Sequence, residues 1–418
     1  MKIRYLFLTL LIPALVFCSK PNPQEDDKQD DPQEQTQPEP YQEPVFSRNS
    51  DDPADEVLSE IPPMINNGDV VQATRPFIEK FLTEVQYPDH DYTTTRILDY
   101  EGGYNNADAT DYPVYNADKP ALYSIRWTAD AAAGEVVTTL KDGNWSQQFK
   151  AAAGSDYQLI SNLRPNAAYT YEVKASSGKV MTSGSFTTTG SLHQVFFDWN
   201  VRNARDLGGW KTYDGKRVKY RKIYRGGRLE GSTMSREGRE AVLAEGIKAQ
   251  LELRGKSDML KWCALGEHYA FCNPCIENGG SSMLGTYKQK TKECFEFVVK
   301  CVREDKPVYF HCSLGRDRTG TLAALLLGVL GVIEGDVSKE YELSYFAPRG
   351  WSIAYSESSK VFKNTRKAEY KSVANYFWSK GKKDDGTYER FDKCVENYLL
   401  EIGVSQKDID DFRALMLE

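Results

Sequence analysis

The chain has 418 residues and a formal net charge of −7, which is length enough for two or three domains. An acidic balance argues against nucleic acid as the main partner, because phosphate backbones attract surfaces rich in Lys and Arg. It leaves room for a phosphorylated substrate held in one local basic pocket.

The first residues read as a targeting segment. Lys2 and Arg4 make a basic start, and the apolar run Tyr5 to Phe17 is too short to span a bilayer, as expected for a signal peptide. The run ends at Leu15-Val16-Phe17-Cys18, which resembles a lipoprotein signal over residues 1–18. The resemblance implies lipidation of Cys18 and an exported protein anchored by that lipid to the cell envelope, on the periplasmic or surface face of the outer membrane. Residues 19–52, rich in Pro, Gln, Asp and Glu, cannot bury a core and are predicted to be a disordered tether. Such a tether has an r.m.s. reach of roughly 30 Å.

Residues 53–111 form a predicted helical lead-in. One stretch is Ile65 to Val71, interrupted by Asn66-Asn67-Gly68. The other is Thr74 to Val85, where Phe77, Ile78, Phe81, Leu82 and Val85 recur at helical spacing. No chemistry is legible there.

Residues 112–190 read as β. Ala121 to Trp127, Val137 to Leu140, Tyr157 to Leu159, Tyr171 to Lys174 and Ser185 to Thr188 are short runs separated by turn signals such as Asp142-Gly143-Asn144. This is the pattern of an all-β sandwich. Leu163-Arg164-Pro165-Asn166-Ala167-Ala168-Tyr169 resembles the tyrosine corner of fibronectin type III domains, and the resemblance makes Trp127 the core tryptophan. The segment serves either as a binding module or as a passive scaffold.

Residues 195–418 alternate short strands and helices, the signature of an α/β domain with a central, mostly parallel sheet flanked by helices. Ile247 to Leu253 and Val308 to Phe310 are predicted strands. Tyr287 to Glu304, Thr319 to Leu330, Val337 to Leu343 and Tyr388 to Leu400 are predicted helices. The aromatic stretch Pro348 to Lys383, with Trp351, Tyr355, Tyr370, Tyr376, Phe377 and Trp378, walls a pocket or packs the core.

The chemistry lies in His311-Cys312-Ser313-Leu314-Gly315-Arg316-Asp317-Arg318-Thr319-Gly320. A cysteine at a strand end, a loop with a mid-loop glycine, then an arginine at a helix start is a phosphate cradle with a nucleophile in it. Successive amides from Ser313 to Gly320 converge on one anion, and the helix N-terminus adds positive partial charge. The same field favours the thiolate form of Cys312. Arg318 offers a planar fork for two phosphate oxygens. No other cysteine of the chain has an arginine six positions on.

These residues resemble the cysteine-dependent protein-tyrosine-phosphatase superfamily, and within it the bacterial tyrosine/dual-specificity branch, whose loop reads His-Cys-x-x-Gly-Lys-Asp-Arg-Thr-Gly. Arg316 stands here in place of the Lys. Asn203-Ala204-Arg205-Asp206-Leu207-Gly208-Gly209, Tyr224-Arg225-Gly226-Gly227-Arg228-Leu229, Leu251-Glu252-Leu253-Arg254 and Tyr341-Glu342-Leu343-Ser344, preceded by Glu340, are similar to further segments of that branch.

The resemblance implies two-step phosphoryl transfer through a cysteinyl phosphate, with Cys312 as nucleophile, Arg318 and the loop amides on the equatorial oxygens, and no metal or organic cofactor. Thr319 is placed to donate to the sulfur, and His311 to support the loop backbone. The resemblance makes Asp317, which matches the Asp of the branch's loop, the first choice of general acid, because better-known tyrosine phosphatases carry an Asp on a loop upstream of the Cys and the comparable stretch Glu267 to Glu277 has none; Glu252 is the second.

Expected substrates are phosphotyrosine proteins, with phosphoserine and phosphothreonine as further possibilities. Arg316, as an extra cation, opens an alternative: a phosphoinositide or inositol-phosphate phosphatase. A phosphate-binding adhesion module is the alternative of another class. Beyond Cys18 the cysteines are Cys263, Cys272, Cys275, Cys294, Cys301, Cys312 and Cys394. A Cys272–Cys275 or Cys263–Cys275 disulfide, or buried free thiols, are expected ahead of a zinc site with His268.

Overall fold

The structure is a computed structural model, and it describes residues 40–48, 60–84, 87, 89, 118–347 and 370–418. The β region consists of β1 (Val70–Gln72), β2 (Tyr123–Arg126), β3 (Val136–Asp142), β4 (Trp145–Ala151), β5 (Tyr157–Ile160), β6 (Ala168–Ala175) and β7 (Val180–Thr189). One sheet has the order β1-β7-β6-β3-β4, and β2 and β5 pair as a second. Alternation along β6 sends Tyr169, Tyr171, Val173 and Ala175 inward. They meet Ile125, Leu140, Ile160, Phe186 and Trp127 in one core between the sheets. The Tyr169 ring stacks on Phe186 at 5.1 Å, and its hydroxyl accepts the Arg164 amide at 2.8 Å.

Two expectations are corrected here, and one strand was not foreseen. Ile65 to Val71 is not helical: Asn67-Gly68 makes a turn, and β-branched Val70 and Val71 pair in parallel with Thr187 and Thr188 of β7. The lead-in therefore supplies a strand of the first sheet before its helix, α1 (Pro76–Glu84). Strand β4 carries polar Ser146, Gln148 and Lys150 on its outer face, which hid it from a search for apolar runs. The predicted tether is not free over residues 40–48. Residues 40–48 lie along the C-terminal domain, where Glu43 pairs with Arg239 at 2.8 Å, Val45 accepts the Gly231 amide at 2.8 Å and Arg48 pairs with Asp198 at 2.6 Å.

The C-terminal domain is built on a sheet of order β11-β10-β12-β9-β8, made of β8 (Arg205–Asp206), β9 (Ile223–Gly226), β10 (Ala249–Glu252), β11 (Ala270–Cys272) and β12 (Val308–His311). All pairs are parallel except β8–β9. β12 is buried on both faces, so it reads as an unbroken run. Val308 and Phe310 enter one core and Tyr309 the other.

The helices are α2 (Arg236–Ala244), α3 (Gly280–Gly285), α4 (Lys288–Arg303), α5 (Asp317–Val329), α6 (Glu334–Glu342), a helix α7 described over residues 370–378, α8 (Phe391–Glu401) and α9 (Gln406–Met416). Ser235 and Ser405 cap α2 and α9 by accepting the Gly238 and Asp408 amides, both at 3.1 Å. Helix α5 is apolar on every side from Leu322 to Leu327 and is buried throughout that length.

Tyr370, Phe377 and Trp378 lie in the same core, whereas Trp351 and Tyr355 fall outside the described residues. The cysteines from Cys263 to Cys394 are free thiols, all buried except the half-buried Cys275, which is the free-thiol reading of the two left open. Among the described residues, no three His, Cys, Asp or Glu side chains are grouped to hold a metal ion.

The two domains are locked by Arg221. Its guanidinium pairs with Asp142 at 2.7 Å, donates to the Tyr169 hydroxyl at 3.1 Å and lies 3.9 Å from the centre of the Trp145 ring.

Candidate active site

The loop 312–316 leaves the C-terminal end of β12 and enters α5 at Asp317, the end of a parallel sheet at which ligands bind. Gly315 makes this path possible. Its φ is +69°, and a Cβ there would lie 2.4 Å from the Gly226 carbonyl carbon and 2.7 Å from the Gly227 nitrogen. The loop is thus pressed backbone to backbone against the segment that follows β9. The Arg228 amide adds a bond to the Ser313 carbonyl at 3.3 Å.

The loop rests on a buried polar network. Asn203 Nδ2 donates to the Gly315 carbonyl at 2.6 Å and to Ser344 Oγ at 2.9 Å. Arg225 donates to the same carbonyl and pairs with Glu340 at 3.1 Å. Arg205 also holds Glu340, at 2.7 Å. Segments about 140 residues apart in sequence therefore converge under one carbonyl oxygen. The network fixes where that peptide points, and with it the amides that follow.

His311 is fully buried. Gln250 Nε2 lies 2.9 Å from its Nε2, and its Nδ1 lies 3.3 Å from the Cys312 carbonyl. With the Gln250 amide donating, the ring proton sits on Nδ1 and bonds the Cys312 carbonyl. Gln250 is itself oriented by the Ala264 amide, which donates to its Oε1 at 2.7 Å. Burial pushes the His311 pKa below its usual value, so the ring is neutral support. Gln250, which the sequence did not single out, sets the tautomer.

Glu252, the second choice of acid, ends β10. It is fully buried, and Arg254 grips it at 2.5 Å. Burial raises its pKa, but the charge and hydrogen bonds of Arg254 hold it below the usual carboxylate value. It is an ionised anchor for Arg254, which reaches on to Glu230 at 2.6 Å.

Arg318 is half-buried, and its Nη1 donates to the Ile276 carbonyl at 3.0 Å. Arg316 is 1% exposed, with Nη2 against the Ala347 carbonyl at 3.4 Å, rather than displayed on the rim. Thr319 Oγ1 is buried and makes no hydrogen bond, so the expected bond to the Cys312 sulfur is not formed. The N-cap of α5 is Arg316, with no side-chain capping bond, and Asp317 lies one residue inside the helix. Leu314 and Ser313 are half-buried at the rim, and Gly320 is packed on Tyr341.

One rim residue has no sequence signal. Asp258, exposed in the turn after β10, accepts a hydrogen bond from Ser313 Oγ at 2.8 Å. The cradle therefore has an upstream Asp after all, on a different loop from the stretch 267–277.

Comparison with known proteins places these features. A family model described as "Tyrosine phosphatase family" matches residues 199–418. A Cupriavidus necator protein provisionally named a tyrosine-protein phosphatase is 26% identical over 172 residues, which is 36% of this chain and 62% of that protein. A tyrosine-protein phosphatase of Nostoc commune is 36% identical over 61 residues, 15% of this chain and 20% of that protein. The chain thus spans less than two thirds of either relative. The crystal structure of P. aeruginosa TpbA aligns with 45% of this chain and 89% of its own, at 14% identity and a TM-score of 0.28.

Proposed function

The chain belongs to the tyrosine phosphatase family, and we propose that it hydrolyses phosphate monoesters, phosphotyrosine first among them, through a cysteinyl-phosphate intermediate. The observation that carries this reading is the Cys312 loop. It stands between a buried strand and a buried helix, and its peptide direction is fixed by Asn203, Arg225 and Glu340.

In the first step the Cys312 thiolate attacks phosphorus in line. Loop amides and Arg318 hold the equatorial oxygens, where the charge of the transition state sits. With Nη1 committed to Ile276, the Nε and Nη2 edge of Arg318 is the fork for the phosphoryl group. A carboxyl group at the mouth protonates the leaving oxygen, then takes a proton from the water that cleaves the thiophosphate. The resemblance points to Asp317 for this role, and Asp258 stands on the same rim.

Phosphoproteins fit better than inositol phosphates, because the extra cation that favoured the latter, Arg316, is buried. A panel of phosphotyrosine, phosphoserine and phosphothreonine peptides, phosphoinositides and phytate, with EDTA present, tests the assignment. Phosphotyrosine peptide is expected to be turned over fastest and without loss to EDTA. Faster turnover of phytate or phosphoinositide would favour the alternative.

The β region is read as a fibronectin type III-like domain. Support comes from the Tyr169 hydroxyl on the Arg164 amide and from Trp127 in the core. Its docking through Arg221 favours a scaffold over an adhesion module. The N-terminal segment is read as a lipoprotein signal that places the enzyme on the cell envelope. A Cys18→Ala variant is expected to leave the membrane fraction, and absence of acyl chains on native Cys18 would contradict the anchor.

A further inference from the structure

We infer that Asp258 is the residue that exchanges the proton with the leaving oxygen and then with the attacking water. The inference rests on the phosphatase reading above. It assigns to a residue outside the sequence motif the proton transfer that the motif itself points to Asp317.

The first argument is position. In-line attack by Cys312 sends the leaving oxygen away from the sulfur, out of the cradle mouth. Ser313, the residue after the nucleophile, lines that mouth, and its hydroxyl donates to Asp258 Oδ2 at 2.8 Å. The cradle therefore orients the carboxyl group itself. Asp258 Oδ1 has no hydrogen bond to any described residue, which leaves it for the reacting oxygen.

The second argument is rigidity. The turn carrying Asp258 closes through the Asp258 and Met259 amides on the Gly255 carbonyl, at 3.2 and 3.0 Å. It is pinned to the segment before α3 by the Lys256 amide on Glu277 at 2.9 Å. It begins at Arg254, clamped by Glu252 and Glu230. A proton donor needs this kind of fixed placement.

The third argument is access to water. Asp258 is exposed, whereas Asp317 is half-buried and its Oδ1 is shut away from solvent. The backbone of Asp317 is pressed by Gly279, where a Cβ would come within 2.7 Å of the Asp317 carbonyl carbon. The second step draws its water from solvent, so the exposed carboxylate is the better base. Asp317 is left to shape the entry into α5.

The atoms balance with Asp258 in this role. In the first step the sulfur–phosphorus bond forms, the phosphorus–oxygen bond breaks, and the Asp258 proton goes to the departing oxygen. In the second step water oxygen bonds phosphorus, its proton returns to Asp258, and the thiolate leaves.

The test compares Asp258→Asn and Asp317→Asn in the full chain on p-nitrophenyl phosphate and on a phosphotyrosine peptide. The nitrophenolate leaves readily without a proton; the tyrosine phenol, with a pKa of about 10, does not. Asparagine keeps an oxygen for the Ser313 bond, so the rim geometry is retained. The expected result is a loss of about 10²–10⁴-fold in kcat on the peptide for Asp258→Asn, with about tenfold or less on p-nitrophenyl phosphate. Asp317→Asn is expected to slow both substrates alike. Leaving-group-selective loss in Asp317→Asn with none in Asp258→Asn overturns the inference and returns the role to Asp317. Equal slowing of both substrates by Asp258→Asn reduces that residue to a rim contact and also overturns it. If the unaltered chain turns over neither substrate, the phosphatase reading itself falls.

Discussion

Gly315→Ala is the substitution whose cost can be worked most directly from the coordinates. An alanine Cβ there would sit 2.4, 2.5 and 2.7 Å from backbone atoms of Gly226 and Gly227, where ordinary contact begins at 3.4 Å. No flexible side chain can move aside, so the loop must retreat by about 1 Å. A misplacement of about 1 Å in a catalytic group costs on the order of 10²-fold in rate. Overpacking adds about 1–3 kcal/mol of destabilisation, and a left-handed alanine adds about 1–2 kcal/mol more.

The Gly315 carbonyl also anchors the Asn203 and Arg225 bonds, so the shift disturbs the support beneath it. Gly386→Ala is the control: its φ is +85° but nothing lies within 4 Å, so only the conformational cost should appear. Activity on p-nitrophenyl phosphate and the urea midpoint would be measured for both. The expected outcome is a loss of about 10²-fold or more in kcat for Gly315→Ala, with Gly386→Ala fully active. A Gly315→Ala protein within about threefold of normal activity would refute the account of the loop.

Arg318→Lys should lose nearly as much activity as Arg318→Ala, on the order of 10²–10³-fold, because an ammonium cannot form the fork; retained kcat in the Lys variant contradicts that role. His311 gives a pH signature. Its folded pKa lies below the usual histidine value, so as pH falls below about 6.5 the unfolded chain binds a proton that the folded chain refuses. Stability should therefore fall over that range, by at most about 1.4 kcal/mol per pH unit from this group. Urea midpoints at pH 7.5 and 5.5 should differ less in His311→Gln than in the unaltered protein, and an equal difference would show that His311 is not the group. Glu252, held below the usual carboxylate value, should contribute only in more acid solution.

The strand, loop and helix around Cys312 were legible because they are contiguous. Nucleophile, glycine and arginine lie within seven residues, and the apolar runs on either side declare their own structure. Asn203, Arg225, Glu340 and Ser344 were legible only as resemblance; their common task, holding the Gly315 carbonyl, required the fold. Gln250 and Asp258 carried no signal, because they reach the site through the parallel neighbour β10 and its following turn. Strand β1 was missed for a related reason. Its partner, β7, lies 117 residues away, and two valines beside an Asn-Gly turn do not declare a partner. Glu252 was legible only as resemblance; its pairing with Arg254 required the fold.

The central claim is a covalent phosphoryl group on Cys312. The direct measurement is rapid acid quench of the full chain during turnover of p-nitrophenyl phosphate with EDTA present, followed by peptide mass spectrometry, beside Cys312→Ser. The account predicts one phosphoryl group on the Cys312 peptide of the active protein. It predicts no turnover in Cys312→Ser, which should still bind orthophosphate. A phosphoryl group found on another residue, normal turnover by the serine variant, or activity lost to EDTA would contradict it.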